Sequence, residues 1–293
     1  MILIDGKETA KQIRKELAEK IAAEKHRSGK APGLAVILVG SDAASEIYVN
    51  SKTKACLEIG MKSEVEKKDA SITQKELLAL IEKYNQDDSI HGILVQMPLP
   101  KGLNEQEVIS AISPEKDVDG FHPVNTGKLV IGEDTLVPCT PAGIHELLLR
   151  YKIPTSGKHA VVVGRSNIVG KPIANILMQK KEGANCAVTV VHSAVKNLAE
   201  FTRSADIVIA AIGKPDFITG DMVKEGCCVI DVGINRVEDS SLPKGYRVTG
   251  DVNFAEVSQK AAYITPVPGG VGPMTIAMLL SNTWKAFSKE IQQ

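Results

Sequence analysis

Neither sign of charge is in excess in the 293-residue chain, where 35 Lys and Arg residues balance 35 Asp and Glu. A surface so balanced advertises no affinity for nucleic acid or an anionic membrane. No apolar run approaches the length of a membrane span. The opening Met1-Ile-Leu-Ile-Asp5 is too short and too soon charged to read as a signal peptide. The five cysteines, Cys56, Cys139, Cys186, Cys227 and Cys228, form no Cys-x-x-Cys pair and lie mostly in apolar context. They read as reduced packing residues of a cytoplasmic protein, which sets aside a disulfide frame and a zinc site. The six histidines contain no His-x-x-x-His, so no metal is expected. No repeat of fixed period and no low-complexity tract is found.

What is present is a regular alternation of strands and helices, long enough for two domains. Ile13, Leu17 and Ile21 space an amphipathic helix over 8–25. The apolar run Leu34-Ala-Val-Ile-Leu-Val-Gly40 predicts a buried strand, followed by a helix over 43–59. A charged, weakly patterned stretch at 62–68 reads as an exposed strand. Thr73 and Glu76 make a capping box before a helix with Leu77, Ile81 and Tyr84 on one side. His91-Gly-Ile-Leu-Val-Gln96 is a further strand, stopped by Met97-Pro-Leu-Pro100, and a short helix spans 104–112. Such βα repetition implies parallel strands with helices on their faces. The segment 113–139 is polar and reads as irregular, and loops of that length inside a domain are usually functional.

Thr140-Pro141 opens a helix to about Tyr151. The rhythm then resumes with strands at 160–163, 187–191, 206–211 and 227–231, a doubly wound nucleotide-binding pattern. A last helix over 274–288 carries Ile276, Ala277, Leu280, Trp284 and Phe287 on one face and is expected to pack back on the first domain. The expected fold is therefore α/β in two domains with a cleft between them. One comprises 1–140 plus 274–293; the other is a Rossmann-like, doubly wound domain at 141–273.

Within the first domain, Tyr48 and Lys52 lie four apart on the 43–59 helix and share a face. Spacing alone fits a solvated lysine beside a half-buried tyrosine. Their place just past the C-terminal end of a strand is nonetheless where open α/β sheets keep their chemistry. Gln96 closes a buried strand and presents its amide at that same end. Asp117 and Asp119 lie in the polar loop, where one of them could accept paired hydrogen bonds from a heterocycle. Pro266-Val-Pro-Gly-Gly-Val-Gly-Pro273 has a constrained path that lets backbone approach a ligand closely. Together these supply donors, an acceptor and a cation at one rim.

In the second domain, Gly164-Arg-Ser-Asn-Ile-Val-Gly170 occupies the turn after a strand. It departs from Gly-x-Gly-x-x-Gly, with Ser166 where the second glycine would stand. Arg165 offers a planar donor fork to phosphate, and Ser166 a hydroxyl at a helix N-terminus, where anions are favoured. The next strand ends in His192-Ser-Ala-Val-Lys196, without the carboxylate that would bind the ribose hydroxyls of NAD. A ribose bearing an extra phosphate suits Arg165, Ser193 and Lys196, so NADP is the expected cofactor.

These stretches resemble the bifunctional methylenetetrahydrofolate dehydrogenase/methenyltetrahydrofolate cyclohydrolase family over essentially the whole chain. The marks are Tyr48-x-x-x-Lys52-x-Lys54, His91 to Pro100, Pro114-Glu-Lys-Asp-Val-Asp-Gly120, Gly164-Arg-Ser-x-Ile-Val-Gly-x-Pro172, Asp231-Val-Gly-Ile-Asn235 and Pro266 to Thr275. Met97 stands where the family usually has leucine, a size-conserving swap. The resemblance implies that Lys52 is the central catalytic residue, adjusted by Tyr48 and Gln96. It implies that Asp119 holds the pterin ring, with Ser45 and Pro268, Gly269, Gly270, Val271, Gly272 and Pro273 lining the folate pocket. Gly164, Arg165, Ser166, Ser193 and Ile234 match cofactor-contacting positions. The implied activity is NADP-dependent oxidation of 5,10-methylenetetrahydrofolate, then hydrolysis of the methenyl product to 10-formyltetrahydrofolate. The implied assembly is a homodimer pairing through its cofactor domains. A dehydrogenase without cyclohydrolase activity is the near alternative. More distant ones are a shikimate- or amino-acid-type dehydrogenase and a non-enzymatic NADP-binding regulator.

Overall fold

The structure, a computed structural model, describes residues 1–241 and 245–291. In chain order its first elements are β1 (Ile2–Leu3), α1 (Gly6–Ser28), β2 (Gly33–Val39), α2 (Ala43–Glu58), β3 (Lys62–Lys68), α3 (Gln74–Asn85) and β4 (Gly92–Val95). Helices α4 (Glu105–Ala111), α5 (Pro123–Ile131) and α6 (Cys139–Arg150) follow. Then come β5 (His159–Val163), α7 (Gly170–Met178), β6 (Ala187–Val191), α8 (Leu198–Ser204), β7 (Ile207–Ala210) and β8 (Cys228–Asp231). The chain continues through β9 (Asn235–Glu238), β10 (Tyr246–Thr249), α9 (Phe254–Val257), β11 (Tyr263–Ile264) and α10 (Val271–Glu290).

The chain divides into two compact units, one of Met1–Ala10 with Thr140–Thr275, the other of Lys11–Cys139 with the chain from Ile276 onward. The second of these, the substrate-side unit, is built on a parallel sheet in the order β3-β2-β4. All seven residues of β2 are buried, as its unbroken apolar run requires of a central strand covered on both faces. The edge strand β3 is instead charged and partly exposed, which protects an open sheet edge from further pairing. Its core joins Ile37, Val39, Leu77, Ile81, Tyr84, Ile93 and Val108. Helix α2 starts where the Asp42 carboxylate accepts the Ser45 N–H at 2.8 Å. Thr73 and Glu76 form the expected reciprocal capping box on α3.

The segment 113–139 is not wholly irregular, because α5 lies inside it. The His122 imidazole caps that helix by accepting the Val124 N–H, Pro123 takes the first helical position, and Gly132 ends it in a left-handed conformation. A histidine cap gives weak sequence signal, and the polar surroundings concealed the helix.

The cofactor-side unit holds a parallel sheet in the order β1-β11-β8-β7-β5-β6 among the described residues. Strand order reverses at β5, with β6 on one side and β7 on the other, which makes its C-terminal end a topological switch point. The sequence pattern assigns residues 1–10 to the first domain, whereas the structure places them here. The reason is β1, which pairs with β11, while the Lys7 N–H donates to the Gly269 carbonyl at 2.9 Å. Two bonded residues at the very N-terminus leave no periodicity to read. The antiparallel β9–β10 pair also had no counterpart in the expectation. Helix α10 begins at Val271, inside the Pro/Gly stretch and three residues before the expected start.

Candidate active site and cofactor turn

In the substrate-side unit, the Lys52 ammonium donates to the Gln96 side-chain carbonyl at 3.0 Å. Lys52 stands on α2, and Gln96 follows β4, the strand beside β2. The Gln96 backbone N–H is tied to the Ile37 carbonyl, and its side-chain amide donates to the Met97 carbonyl at 2.7 Å. That last bond leaves the side-chain oxygen as the end facing Lys52, so one of the lysine's three protons has a defined direction. Tyr48, one turn earlier, is 48 % exposed and free to meet a ligand, and Ser45 is buried in the first turn of α2.

Asp119 belongs to the same group. Burial pushes its carboxyl up to about 6; the Lys52 charge pulls it the other way, and the Asp117 carboxylate adds to the rise. The two aspartates differ in role. Asp117 is buried and committed to the scaffold, its carboxylate accepting the His122 N–H at 2.8 Å and the Asn125 side-chain amide at 2.9 Å. The Asp119 carboxylate makes no hydrogen bond among the described residues. Cys139 and Asn282, which sequence patterning did not single out, both bond the Val118 carbonyl next to Asp119. Buried polar residues in an apolar helix leave no periodic signal, and only their shared target identifies them.

In the cofactor-side unit, Gly164 directly follows β5 and Gly170 begins α7. A Cβ on Gly170 would lie 2.2 Å from the Gly164 carbonyl oxygen, so the turn closes only with glycine there. The Ser166 hydroxyl oxygen accepts the N–H groups of Val169 and Gly170 at 3.1 and 3.3 Å. Its own proton therefore points away from the helix start, available to an anion. Arg165 and Ser193 are exposed, and no carboxylate closes β6. This donor set fits a phosphate-bearing dinucleotide.

Ile234 is 57 % exposed and sits on a loop clipped by two buried aspartates. Asp231 accepts the N–H groups of Gly233, Asp251 and Val252, with its carboxyl pushed up to about 7 by burial. Asp251 accepts those of Ile212 and Gly213 together with the Asn235 side-chain amide. The Asp231-Val-Gly-Ile-Asn235 stretch thus works as a scaffold that presents Ile234. Residues 266–273 and 231–234 with Val248 line a cavity of about 140 Å³, so the structure brings Ile234 and the Pro268–Pro273 loop to one place. The loop is held from the N-terminus as well, since a Cβ on Gly6 would stand 1.8 Å from the Gly270 carbonyl oxygen.

The chain is similar to known proteins over essentially its whole length. The family described as "Tetrahydrofolate dehydrogenase/cyclohydrolase, catalytic domain" matches residues 4–119. Its companion, "Tetrahydrofolate dehydrogenase/cyclohydrolase, NAD(P)-binding domain", matches residues 138–291. A curated relative, the "Bifunctional protein FolD" of Chlorobium chlorochromatii, is 58% identical over 291 residues, 99% of each chain. Among solved structures, the bifunctional FolD methylenetetrahydrofolate dehydrogenase/cyclohydrolase of Campylobacter jejuni is 50% identical with a TM-score of 0.93, covering 99% of both chains. The Trypanosoma brucei methylenetetrahydrofolate dehydrogenase-cyclohydrolase, solved with NADP and an inhibitor, is 41% identical with a TM-score of 0.94, covering 100% of this chain and 99% of that one. The chain belongs to the tetrahydrofolate dehydrogenase/cyclohydrolase family.

Proposed function

We propose that the protein is a bifunctional, NADP-dependent methylenetetrahydrofolate dehydrogenase and methenyltetrahydrofolate cyclohydrolase. The observation that carries this reading is the Lys52–Gln96 bond with the raised Asp119 carboxyl beside it, in a chain of this family. Asp119 receives the paired N–H donors of the pterin, and Tyr48 and Ser45 contribute to the folate pocket. Gly164, Arg165, Ser166, Ser193 and Ile234 hold the NADP. NADP, when bound, supplies the hydride acceptor for oxidation of the one-carbon bridge.

The protein's part in that oxidation is orientation of the substrate. In hydrolysis, water adds to the methenyl carbon, loses a proton, and the ring opens to 10-formyltetrahydrofolate. Lys52 moves that proton, and Gln96 fixes the direction of the ammonium.

The reading extends to a cytoplasmic homodimer pairing through the cofactor-side unit. In support, all five cysteines are free and buried, and β6 is an edge strand with Val190 41 % exposed. The mass in solution tests the assembly. The activities are tested by following NADPH and methenyltetrahydrofolate absorbance with methylenetetrahydrofolate as substrate. NADPH production with a transient or absent methenyl signal is expected. Methenyl accumulation without hydrolysis would mark a dehydrogenase alone, and no NADPH would refute the enzyme reading.

A further inference from the structure

The Asp119 loop is fastened from an unexpected quarter. The side-chain amide nitrogen of Asn282, on α10, donates at 2.8 Å both to the Val118 carbonyl and to the Val137 carbonyl. The two carbonyls belong to separate segments, 116–120 and 135–139, and Asn282 spends both amide protons joining them. The Val118 carbonyl takes a second bond from the Cys139 thiol at 3.3 Å. Asn282 is 6 % exposed and Cys139 4 %, so water does not compete for these bonds. On the other side of Asp119, Gly120 has φ +73, and a Cβ there would lie 2.5 Å from Pro138 N. Its N–H donates to the Asp117 carbonyl at 3.0 Å, and Asp117 is itself held by His122 and Asn125. Asp119 is thus the free residue between two pinned neighbours.

We propose that Asn282 is a positioning residue for folate recognition, setting where the Asp119 carboxylate stands by clamping Val118 to Val137, with Cys139 as its second support. The proposal rests on the reading that Asp119 receives the pterin. Apolar residues would fill the same volume without needing partners, whereas this buried amide bonds backbone carbonyls of two distant segments and so fixes one against the other. Truncating it frees both segments, and displacement of a recognition group by about 1 Å can cost on the order of a hundredfold in turnover.

The test measures KM for methylenetetrahydrofolate, KM for NADP and kcat in Asn282→Ala and Cys139→Ala, alongside thermal melting. Expected for Asn282→Ala is a rise in folate KM and fall in kcat amounting to about ten- to hundredfold in kcat/KM, with KM for NADP unchanged. Cys139→Ala should shift the same parameters in the same direction by a smaller factor, and it carries the test if Asn282→Ala does not fold. A merely structural role lowers melting temperature and the active fraction but leaves folate KM at its wild-type value, and that result in the folded variants overturns the proposal. Equal rises in both KM values overturn it as well. Asp119→Asn serves as the control: if it keeps wild-type folate KM, the assignment of Asp119 fails, whatever Asn282 does.

Discussion

The Lys52 ammonium and the Gln96 carbonyl oxygen stand 3.0 Å apart, with the glutamine turned by its own bond to Met97. Replacing Lys52 by methionine keeps the stem and removes the proposed proton carrier. Cyclohydrolase activity is expected to fall by about 10²–10⁴-fold, the range of general acid–base catalysis. Stopped assays of methenyltetrahydrofolate hydrolysis check this, and full activity in the variant would sink the assignment.

The Asp119 carboxyl, raised from an ordinary 3.8 to about 6, links recognition to pH. As pH falls through about 6 the carboxylate gains a proton and loses one acceptor oxygen, so folate KM should rise on the acid side. For stability the sign is opposite. Between 3.8 and about 6 the folded protein holds a proton that the unfolded chain releases, so stability drops as pH rises through this window. Asp119→Asn should therefore melt higher than wild type near neutral pH while binding folate less well. A lower melting temperature there would contradict the account.

Arg165 and Ser193, both exposed near the cofactor turn, are assigned to the extra phosphate of NADP. Charge-assisted bonds of this kind are worth about 1.5–3 kcal/mol each, so removing both should weaken NADP by roughly a hundredfold or more. NAD, lacking that phosphate, should lose little. Titration of the double variant with each cofactor decides it, and equal losses would contradict the phosphate assignment.

His91 predicts an acid-sensitive fold. Its Nδ1 accepts the Gly33 N–H at 3.0 Å and its ring meets Phe287 edge-on with centroids 4.8 Å apart. Burial lowers its pKa below the ordinary 6.5, with Glu290 opposing. The unfolded chain then binds the proton first, so stability is present above 6.5 and is lost as pH falls toward the lowered folded value. Melting curves across this range should slope less steeply for His91→Leu than for wild type, even if that variant starts lower. Identical slopes would remove His91 from the acid response.

Much of this molecule is legible in the chain because its signals are local. A fully apolar run such as Leu34 to Val39 has to be a covered strand, and a Thr73/Glu76 capping box has to open a helix. Alternation of such pieces implies parallel sheets. The Tyr48/Lys52 pair, Gln96 and the Gly164–Gly170 turn could be picked out because each lies at a strand's C-terminal end. What was missed depends on partners far away in sequence. β1 exists through β11, and residues 1–10 join the cofactor-side unit through Gly269 and Gly270; α5 is the exception, its start resting on the adjacent His122 imidazole, a cap too uncommon to read.

By itself, then, the sequence determined the βα rhythm, the family, and the residue types that carry the chemistry, since periodicity, caps and motif spacing act over a few neighbouring residues. Only the tertiary structure decided that Asp117 is spent on the scaffold while the Asp119 carboxylate makes no hydrogen bond among the described residues. The reason is the choice of partners: the Asp117 carboxylate meets His122 and Asn125, whereas the bonds of Asn282 and Cys139 hold the backbone beside Asp119 and leave its carboxylate unspent.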